Sequence, residues 1–331
     1  MTPPTSPLVD PFGRTVRDLR ISITDRCNFR CTYCLPEEGL AWLPREELLR
    51  FEEIVRVARV CVERFGFNGI RLTGGEPTVR AQLPGLVGQL AALGTDLSLT
   101  TNGAGFGLLA ADLAAAGLRR VNISCDSLRR ERFAAMARRD ALPQVLDGID
   151  AALAVGLSPV KVNCVLVRGR NDDEILDLAA FGRDRGVTMR FIEFMPLDAE
   201  KAWDETAVVP ADEVVATIDA VWPLDAVAER GAQPAERWRY RDGAGEIGVV
   251  ASVSRSFCGT CDRVRLTADG MFRSCLFATR EADLRSLLRA GASDDELAAA
   301  IAAEVGTKWA GHSIGRVDFI RPSRSMSQIG G

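Results

Sequence analysis

The chain has 331 residues, of which 47% are hydrophobic and 26% are charged, and its formal net charge is -4. This composition is that of a globular protein with ample core, and the net acidity argues against a general surface for nucleic acid. No apolar run reaches the roughly 18 residues that span a membrane, and the proline-rich first ten residues lack an apolar export signal, so we expect a cytoplasmic protein with no membrane partner.

The first notable feature is a group of three cysteines. Residues 1–13 are expected to form a disordered tail, and the alternating stretch Leu19–Thr24 predicts the first strand. Directly afterwards, Cys27, Cys31 and Cys34 are spaced C-x3-C-x2-C in a short loop. Three thiolates can hold an iron–sulfur cubane and leave one iron open to a small molecule. The same spacing fits part of a zinc knuckle, so both kinds of site remain possible here.

Strand and helix patterns then alternate as far as residue 197. Helices are predicted near residues 45–65, 84–93, 108–116, 143–155 and 171–186, the last opened by a capping box at 171–174. Strands are predicted over residues 68–73, 96–101, 120–124, 159–167 and 188–194. Such alternation predicts a parallel sheet of six β/α units, and we expect an α/β fold with a partial, TIM-like barrel. An open doubly wound sheet would instead place a glycine-rich turn after the first strand.

The pattern changes from residue 198, where tryptophans and prolines stand in irregular sequence. A strand is predicted over Glu246–Val253, and a capping box at Ser293–Glu296 opens a helix. We therefore expect the partial barrel to occupy residues 14–197 and a C-terminal cluster-binding domain to occupy residues 198–331.

The nine cysteines limit the possible metal sites. The second group of three is Cys258, Cys261 and Cys275. The remaining three stand in mainly apolar sequence and are expected in the core: Cys61, Cys125 and Cys164. The chain has one histidine, His312, so two Cys3His zinc sites are impossible. We expect His312 on the surface of the C-terminal tail, without a ligand role.

Two sequence motifs together resemble the radical S-adenosylmethionine (SAM) superfamily. They are the first cysteine group, with Tyr33 before its last cysteine, and Gly74-Gly75-Glu76-Pro77 after the second strand. The second cysteine group and the terminal Gly330-Gly331 resemble the GTP 3′,8-cyclase family of molybdenum cofactor biosynthesis. This resemblance implies two [4Fe-4S] clusters, SAM and GTP. It further implies an external electron donor, a downstream cyclic pyranopterin monophosphate synthase and a homodimer.

The resemblance implies a reaction and a set of site residues. A SAM-derived 5′-deoxyadenosyl radical would take the 3′ hydrogen of GTP and give (8S)-3′,8-cyclo-7,8-dihydroguanosine 5′-triphosphate. SAM would contact Tyr33, Gly75, Ser124 and Met195. GTP would contact Arg20, Arg71, Thr100, Lys161, Arg190, Arg263, Val264 and Arg265. Turnover would need Gly330 and Gly331.

Strand periodicity supports the basic set without the resemblance. In residues 160–165 alternate side chains share a face, so Lys161 and Asn163 point together, away from Val160 and Val162. Basic residues on several strands of one barrel predict a polar lumen. The competing interpretations are a two-cluster radical SAM enzyme that modifies peptides, and a non-catalytic zinc or electron-transfer protein.

Overall fold

The computed structural model describes residues 6–198, 200–201, 203–228, 230–317 and 319–330. In chain order it begins with β1 (Asp18–Ser22), α1 (Phe51–Phe65), β2 (Gly69–Thr73), α2 (Leu83–Ala91), β3 (Asp96–Thr101), α3 (Ala110–Ala115), β4 (Arg120–Ser124), α4 (Arg130–Ala137), α5 (Leu142–Ala154), β5 (Val160–Leu166), α6 (Ile175–Arg185) and β6 (Thr188–Glu193). It continues with α7 (Ala211–Asp219), β7 (Leu224–Ala226), β8 (Glu236–Tyr240), β9 (Glu246–Val250), β10 (Arg263–Leu266), β11 (Met271–Arg273), β12 (Ala282–Asp283), α8 (Leu284–Arg289), α9 (Asp294–Val305) and α10 (Met326–Ile329).

These strands form one sheet in the order β12-β11-β10-β1-β2-β3-β4-β5-β6-β9-β8-β7. The strands from β10 to β9 in this order pair in parallel, whereas the outer strands at each end pair antiparallel. Helices follow the strands β2 to β6, as a βα series requires. The predicted α/β partial barrel with a C-terminal extension is confirmed.

The C-terminal region completes the sheet at both edges. Strand β9 pairs in parallel with β6, and β10 pairs in parallel with β1. The sheet therefore runs without a break across the predicted boundary at residues 197 and 198. The two cysteine groups, one after β1 and one before β10, are placed next to each other by this pairing.

Alternation along the strands separates an apolar outer face from a polar inner face. In β5, Val160, Val162 and Cys164 are buried against the helices. Lys161 and Asn163 occupy the opposite face, as predicted. The core lies between the outer face of the sheet and the helices, and it includes the remaining three cysteines, Cys61, Cys125 and Cys164.

The predicted disordered tail does not hold for residues 6–13, while residues 1–5 lie outside the described residues. The backbone N–H of Ser6 bonds to the Arg64 carbonyl at 3.1 Å, and that of Val16 bonds to the Leu8 carbonyl at 2.8 Å. Asp10 is only 4% exposed. These contacts tie the segment to the barrel, and composition alone does not reveal them.

Three local predictions also need correction. The first helix begins at Phe51 and not near residue 45, because Leu49 is drawn out of the helix by a 2.8 Å backbone bond to Ala268. Helix α4 was not predicted, since its large apolar side chains are only Phe133 and Met136. The capping box predicted at Asn171–Glu174 is wrong, because both side chains bond elsewhere.

The capping box at Ser293–Glu296 is confirmed at the start of α9. Among the described residues, no helix combines the length and apolar character needed to cross a membrane.

Candidate active site

A cavity of about 310 Å³ opens at the C-terminal ends of the barrel strands. All six cysteines of the two groups line it, together with side chains from β1 to β6 and from β9 and β10. The C-terminal ends of parallel strands are where α/β barrels place their active sites. The pairing of β10 with β1 thus brings both cysteine groups to a single chamber.

The cysteine loop after β1 rests on the turn after β2. A Cβ at Gly75 would overlap the Arg26 carbonyl and lie 2.5 Å from the Asp25 carbonyl, so only glycine fits. Glu76 is 1% exposed and accepts bonds from the Thr101 hydroxyl at 2.7 Å and the Asn102 N–H at 2.6 Å. The Gly-Gly-Glu-Pro turn therefore fixes the cysteine loop against the ends of two strands.

Tyr33 is held by a carboxylate that the sequence did not single out. Its hydroxyl donates to Asp126 Oδ2 at 2.6 Å, and Asp126 Oδ1 accepts the Val165 N–H at 2.9 Å. Burial raises the pKa of Asp126 to about 6, although the bond from Tyr33 acts in the opposite direction. Asn171 supports this arrangement from below, because its amide donates to the Asp126 carbonyl at 2.7 Å.

The floor of the cavity is strongly basic. Register pairs Arg20 with Arg71 and with Arg265, and Arg190 with Asn163. Among the described residues, the buried atoms Arg20 Nε, Asn163 Oδ1 and Arg190 Nε have no hydrogen-bond partner. Buried polar groups are nearly always satisfied, so unsatisfied donors and acceptors on side chains that line a cavity indicate a polar ligand.

The crowding of these cations is visible in their pKa values. Burial, then Arg71 and Arg263, lower the pKa of Arg20 to about 9. Burial and Arg263 lower the pKa of Arg190 to about 10, and burial and Arg20 lower that of Arg265 well below its usual value. An anion bound among these side chains would relieve their mutual repulsion.

Two predicted substrate residues stand apart from the cavity lining. Lys161 pairs in register with Asn122 and Thr188, nearer the start of its strand than Asn163, and it is not among the lining residues. Burial, then Arg190, lower its pKa to about 8, so it shares the field of the basic floor. The side chain of Val264 is fully buried in the outer core and cannot line the cavity.

The other predicted contacts all lie at the cavity. Its lining includes Tyr33, Gly75, Ser124, Met195, Arg20, Arg71, Thr100, Arg190, Arg263 and Arg265. Thr100 Oγ1 accepts a 3.3 Å bond from Asn122, and Arg71 Nε donates to Ser98 at 3.2 Å.

The second cysteine group has cationic and N–H neighbours. Burial raises the pKa of Cys258, but bonds from His312 and Ser256 outweigh it and the pKa falls to about 6. At Cys261, burial likewise raises the pKa, but the charges of Arg263 and Lys308 outweigh it and the pKa is lowered. Arg263 Nε lies 3.3 Å from the Cys261 sulfur.

His312 was expected on the surface, and that prediction is wrong. It lines the cavity, is partly buried and contacts Cys258. Its ring lies 5.0 Å from that of Phe277.

The first cysteine group has a different environment. Burial raises the pKa of Cys27 to about 11 and that of Cys34 to about 12. Burial also raises the pKa of Cys31 well above its usual value, and Asp126 adds to the effect. Carboxylates therefore act on Cys27 and Cys31, with Arg30 opposing Glu76 at Cys27, whereas Arg263 and Lys308 act on Cys261.

The N-terminal segment fastens the second cysteine loop. Arg14 is 8% exposed, and its Nε lies 2.5 Å from Asp10 Oδ2. The same guanidinium donates to the carbonyls of Cys258 at 2.6 Å, Trp309 at 2.5 Å and Ala310 at 2.8 Å. Three distant parts of the chain are thus joined beside the second group.

The C-terminal helix α10 reaches the same chamber. The backbone of Ser327 lies close enough to Cys34 to oppose the rise in the pKa of that thiol, and the Gly330 carbonyl accepts a bond from Arg265. Gly330 has φ +88, and a Cβ there would lie 3.0 Å from the Ser22 Cβ, so glycine suits the position. Gly331, also predicted to act in turnover, lies outside the described residues.

The donor set fits iron–sulfur clusters better than single metal ions. In each group all three thiols face the cavity, and within each group charge on one thiol affects another. Among the described residues, no three His, Cys, Asp or Glu side chains converge as ligands of one ion would. In a cubane each thiolate binds a different iron, so the thiols need to surround a space and need not meet at a point.

Comparison with known families gives two consecutive matches. Residues 21–182 match the Radical SAM superfamily, and residues 187–314 match the Molybdenum Cofactor Synthesis C family. The two matched segments meet near the end of α6.

Curated relatives match along the whole chain. It is 51% identical to GTP 3′,8-cyclase 2 of Mycobacterium tuberculosis over 100% of this chain and 94% of the relative. It is 48% identical to GTP 3′,8-cyclase of Streptomyces coelicolor over 98% of this chain and 96% of the relative.

Solved structures confirm the fold. Streptococcus suis SuiB bound to S-adenosylmethionine aligns with a TM-score of 0.60 and 12% identity, over 87% of this chain and 68% of that chain. Native anSMEcpe with bound AdoMet aligns with a TM-score of 0.57 and 18% identity, over 80% and 77% respectively. At these identities the likeness concerns the fold alone.

Proposed function

The chain belongs to the GTP 3′,8-cyclase family of the radical SAM superfamily, and on this basis we propose how its residues divide the work of the reaction. The enzyme uses a SAM-derived 5′-deoxyadenosyl radical to take the 3′ hydrogen of GTP and forms (8S)-3′,8-cyclo-7,8-dihydroguanosine 5′-triphosphate, the first step of molybdenum cofactor biosynthesis. One observation carries the proposal: both cysteine groups open onto one cavity whose floor is lined with arginines.

When bound, the two [4Fe-4S] clusters would bind the small molecules and supply the electron that SAM cleavage requires. We assign Cys27, Cys31 and Cys34 to the first cluster and Cys258, Cys261 and Cys275 to the second. The first group lies beside the proposed SAM residues, and the second lies beside Arg263 and Arg265 on β10. This arrangement supports SAM at the first cluster and the guanine base at the second.

The proposed SAM contacts surround the first cysteine loop. Tyr33 is oriented by Asp126 and can lie along the adenine, with Met195 as an apolar wall. Gly75 leaves its backbone open to the cavity, and Ser124 offers a hydroxyl at the end of β4. Together these side chains position SAM and keep water from its reacting carbon.

The basic floor is the proposed triphosphate site. Arg20, Arg71, Arg190 and Arg265 present charged donors that suit phosphate oxygens. We propose that Thr100 contributes a hydroxyl and that Lys161 acts through its charge from beneath the floor. For residues Arg263 to Arg265, we propose that the two arginines contact GTP and that Val264 only shapes the strand.

We propose that the C-terminal glycines close the chamber. The Gly330 carbonyl accepts a hydrogen bond from Arg265, and Met326 and Ser327 of α10 line the cavity together with the first cysteine group. A tail without side chains at its end can enter a crowded site and shield a radical from solvent.

The physiological setting is also a proposal. We propose an external one-electron donor, a downstream cyclic pyranopterin monophosphate synthase, a homodimer and a cytoplasmic location, where thiols such as these nine free cysteines stay reduced. We further propose residues 14–197 and 198–331 as the barrel and the C-terminal domain, although both contribute to the same sheet. The arginine floor favours a nucleotide substrate over a peptide.

Product identification tests the proposal. Anaerobically reconstituted protein is incubated with SAM, dithionite and GTP carrying deuterium at the 3′ carbon, with ATP as the control nucleotide. We expect 5′-deoxyadenosine that depends on GTP and contains deuterium, together with the cyclised nucleotide by mass spectrometry. Formation of 5′-deoxyadenosine at equal rates with and without GTP would contradict the function. Iron and sulfide analysis should give about eight of each per chain.

A further inference from the structure

Lys308 is a buried cation just beyond the end of α9. It is 4% exposed, and its Nζ lies 2.5 Å from the main-chain oxygen of Arg263. Among the described residues, no carboxylate forms an ion pair with Lys308. Burial raises the pKa of Asp262 and the charge of Lys308 opposes that rise, but the two side chains do not pair. A buried ammonium without a counter-charge costs several kcal/mol of desolvation.

Lys308 lies beside the second cysteine group, because the carbonyl that it contacts belongs to Arg263, whose Nε is 3.3 Å from the Cys261 sulfur. Burial lowers the pKa of Lys308, whereas Cys261 and Cys275 raise it. Arg14 and Arg263 add repulsion, so the carbonyl bond alone does not explain why a charged side chain is placed here. A cubane held by three thiolates has one net negative charge when oxidised and two when reduced, which would match this surplus of positive charge.

The first cysteine group has a cation as well, but a partly exposed one: Arg30 donates to the Cys27 carbonyl at 2.7 Å. Glu76 acts on Cys27 and Asp126 acts on Cys31 with the opposite charge. Of the cations near the two groups of three cysteines, the buried ammonium of Lys308 therefore belongs to the second group alone among the described residues.

We propose that Lys308 is the buried counter-charge of the second cluster and that it makes this cluster easier to reduce. The inference rests on the second cysteine group holding a cluster, and it does not depend on which substrate is bound. A fixed positive charge stabilises the reduced, more negative form more than the oxidised form. Removing it therefore shifts the reduction potential to more negative values, and replacing it with arginine does not.

The test isolates the second cluster within the full chain. Cys27, Cys31 and Cys34 are changed to alanine, the protein is reconstituted, and the reduced signal is followed by electron paramagnetic resonance during a redox titration. Lys308→Met removes the charge at similar length, and Lys308→Arg retains it. No substrate is added, so the result is independent of the GTP assay.

At a fixed potential, we expect Lys308→Met to lower the ratio of reduced to oxidised cluster at least tenfold. For a one-electron couple this change corresponds to a shift of 59 mV in the reduction potential. Lys308→Arg should stay near the parent. Loss of the second cluster in Lys308→Met alone, with an unchanged circular dichroism spectrum, would also support the proposal. An unshifted potential in Lys308→Met would overturn it, as would equal damage by both substitutions, since that would show a role in packing.

Discussion

The substitution Arg71→Met tests two properties of the basic floor separately: its contribution to GTP binding and its effect on the stability of the protein without GTP. The pKa of Arg71 is lowered from its usual value to about 10, chiefly by burial, with repulsion from Arg190 contributing and attraction to Asp18 opposing. At 1.36 kcal/mol per pKa unit, holding this charge in the cavity without an anion costs about 3 kcal/mol. The penalty is fully present below pH 10 and decreases as the pH rises through that value.

The substitution should therefore act in opposite directions in two assays. GTP should bind roughly ten- to a hundredfold more weakly, since hydrogen bonds to charged groups contribute about 1.5–3 kcal/mol. Without GTP, the melting temperature should not fall and should rise by a few degrees, because relief of desolvation opposes the lost bond to Ser98.

Anaerobic calorimetry gives the GTP affinity, and thermal unfolding without nucleotide gives the stability. The matched control is Arg241→Met, which removes an exposed arginine that bonds to Asp225 at 2.9 Å. That control should change neither quantity appreciably, as exposed pairs contribute little. An unchanged GTP affinity would refute the assignment of Arg71 to the phosphate site, and a melting temperature lower than that of the control would refute the desolvation penalty.

Three other outcomes are expected. GTP affinity at constant ionic strength should fall as the pH rises through about 8, where Lys161 loses its proton, and Lys161→Arg should remove that dependence; a profile flat from pH 6.5 to 9 would contradict it. Gly75→Ala should lose the first cluster and about half of the iron, whereas Gly85→Ala, whose added methyl group meets no atom within 4 Å, should keep both; equal iron contents would contradict the packing argument. Tyr33→Phe should weaken SAM binding several-fold because its hydroxyl bond is lost, while Tyr240→Phe should not; identical affinities would show that the bond does not orient the ring.

Local patterns in the sequence predicted the features that depend on neighbouring residues. Alternation in β5 correctly placed Lys161 and Asn163 on the inner face. Spacing identified the cysteine loop, and the following glycine-rich turn does lie against it. These features are set within a few residues, so periodicity and turn chemistry reveal them.

Contacts between distant segments were not predictable in this way. Asp126 bonds to a tyrosine 93 positions earlier, and Arg14 reaches a carbonyl 244 positions later. An aspartate after a strand or an arginine in a polar segment is ordinary in sequence. The lone histidine was a signal that sequence reasoning could have used. His312 follows the second cysteine group in the chain, so an interpretation with two clusters could have placed it beside that group.

The sheet closes at both edges with strands from the last third of the chain, and this has a consequence for how the protein is made. While β1 to β6 leave the ribosome, the free edge of β1 awaits β10 and that of β6 awaits β9. Unpaired strand edges invite association between chains, so the nascent barrel is vulnerable until synthesis has passed residue 266. The second cysteine group is complete only when Cys275 has been added, so its cluster can be loaded only after most of the chain has been made.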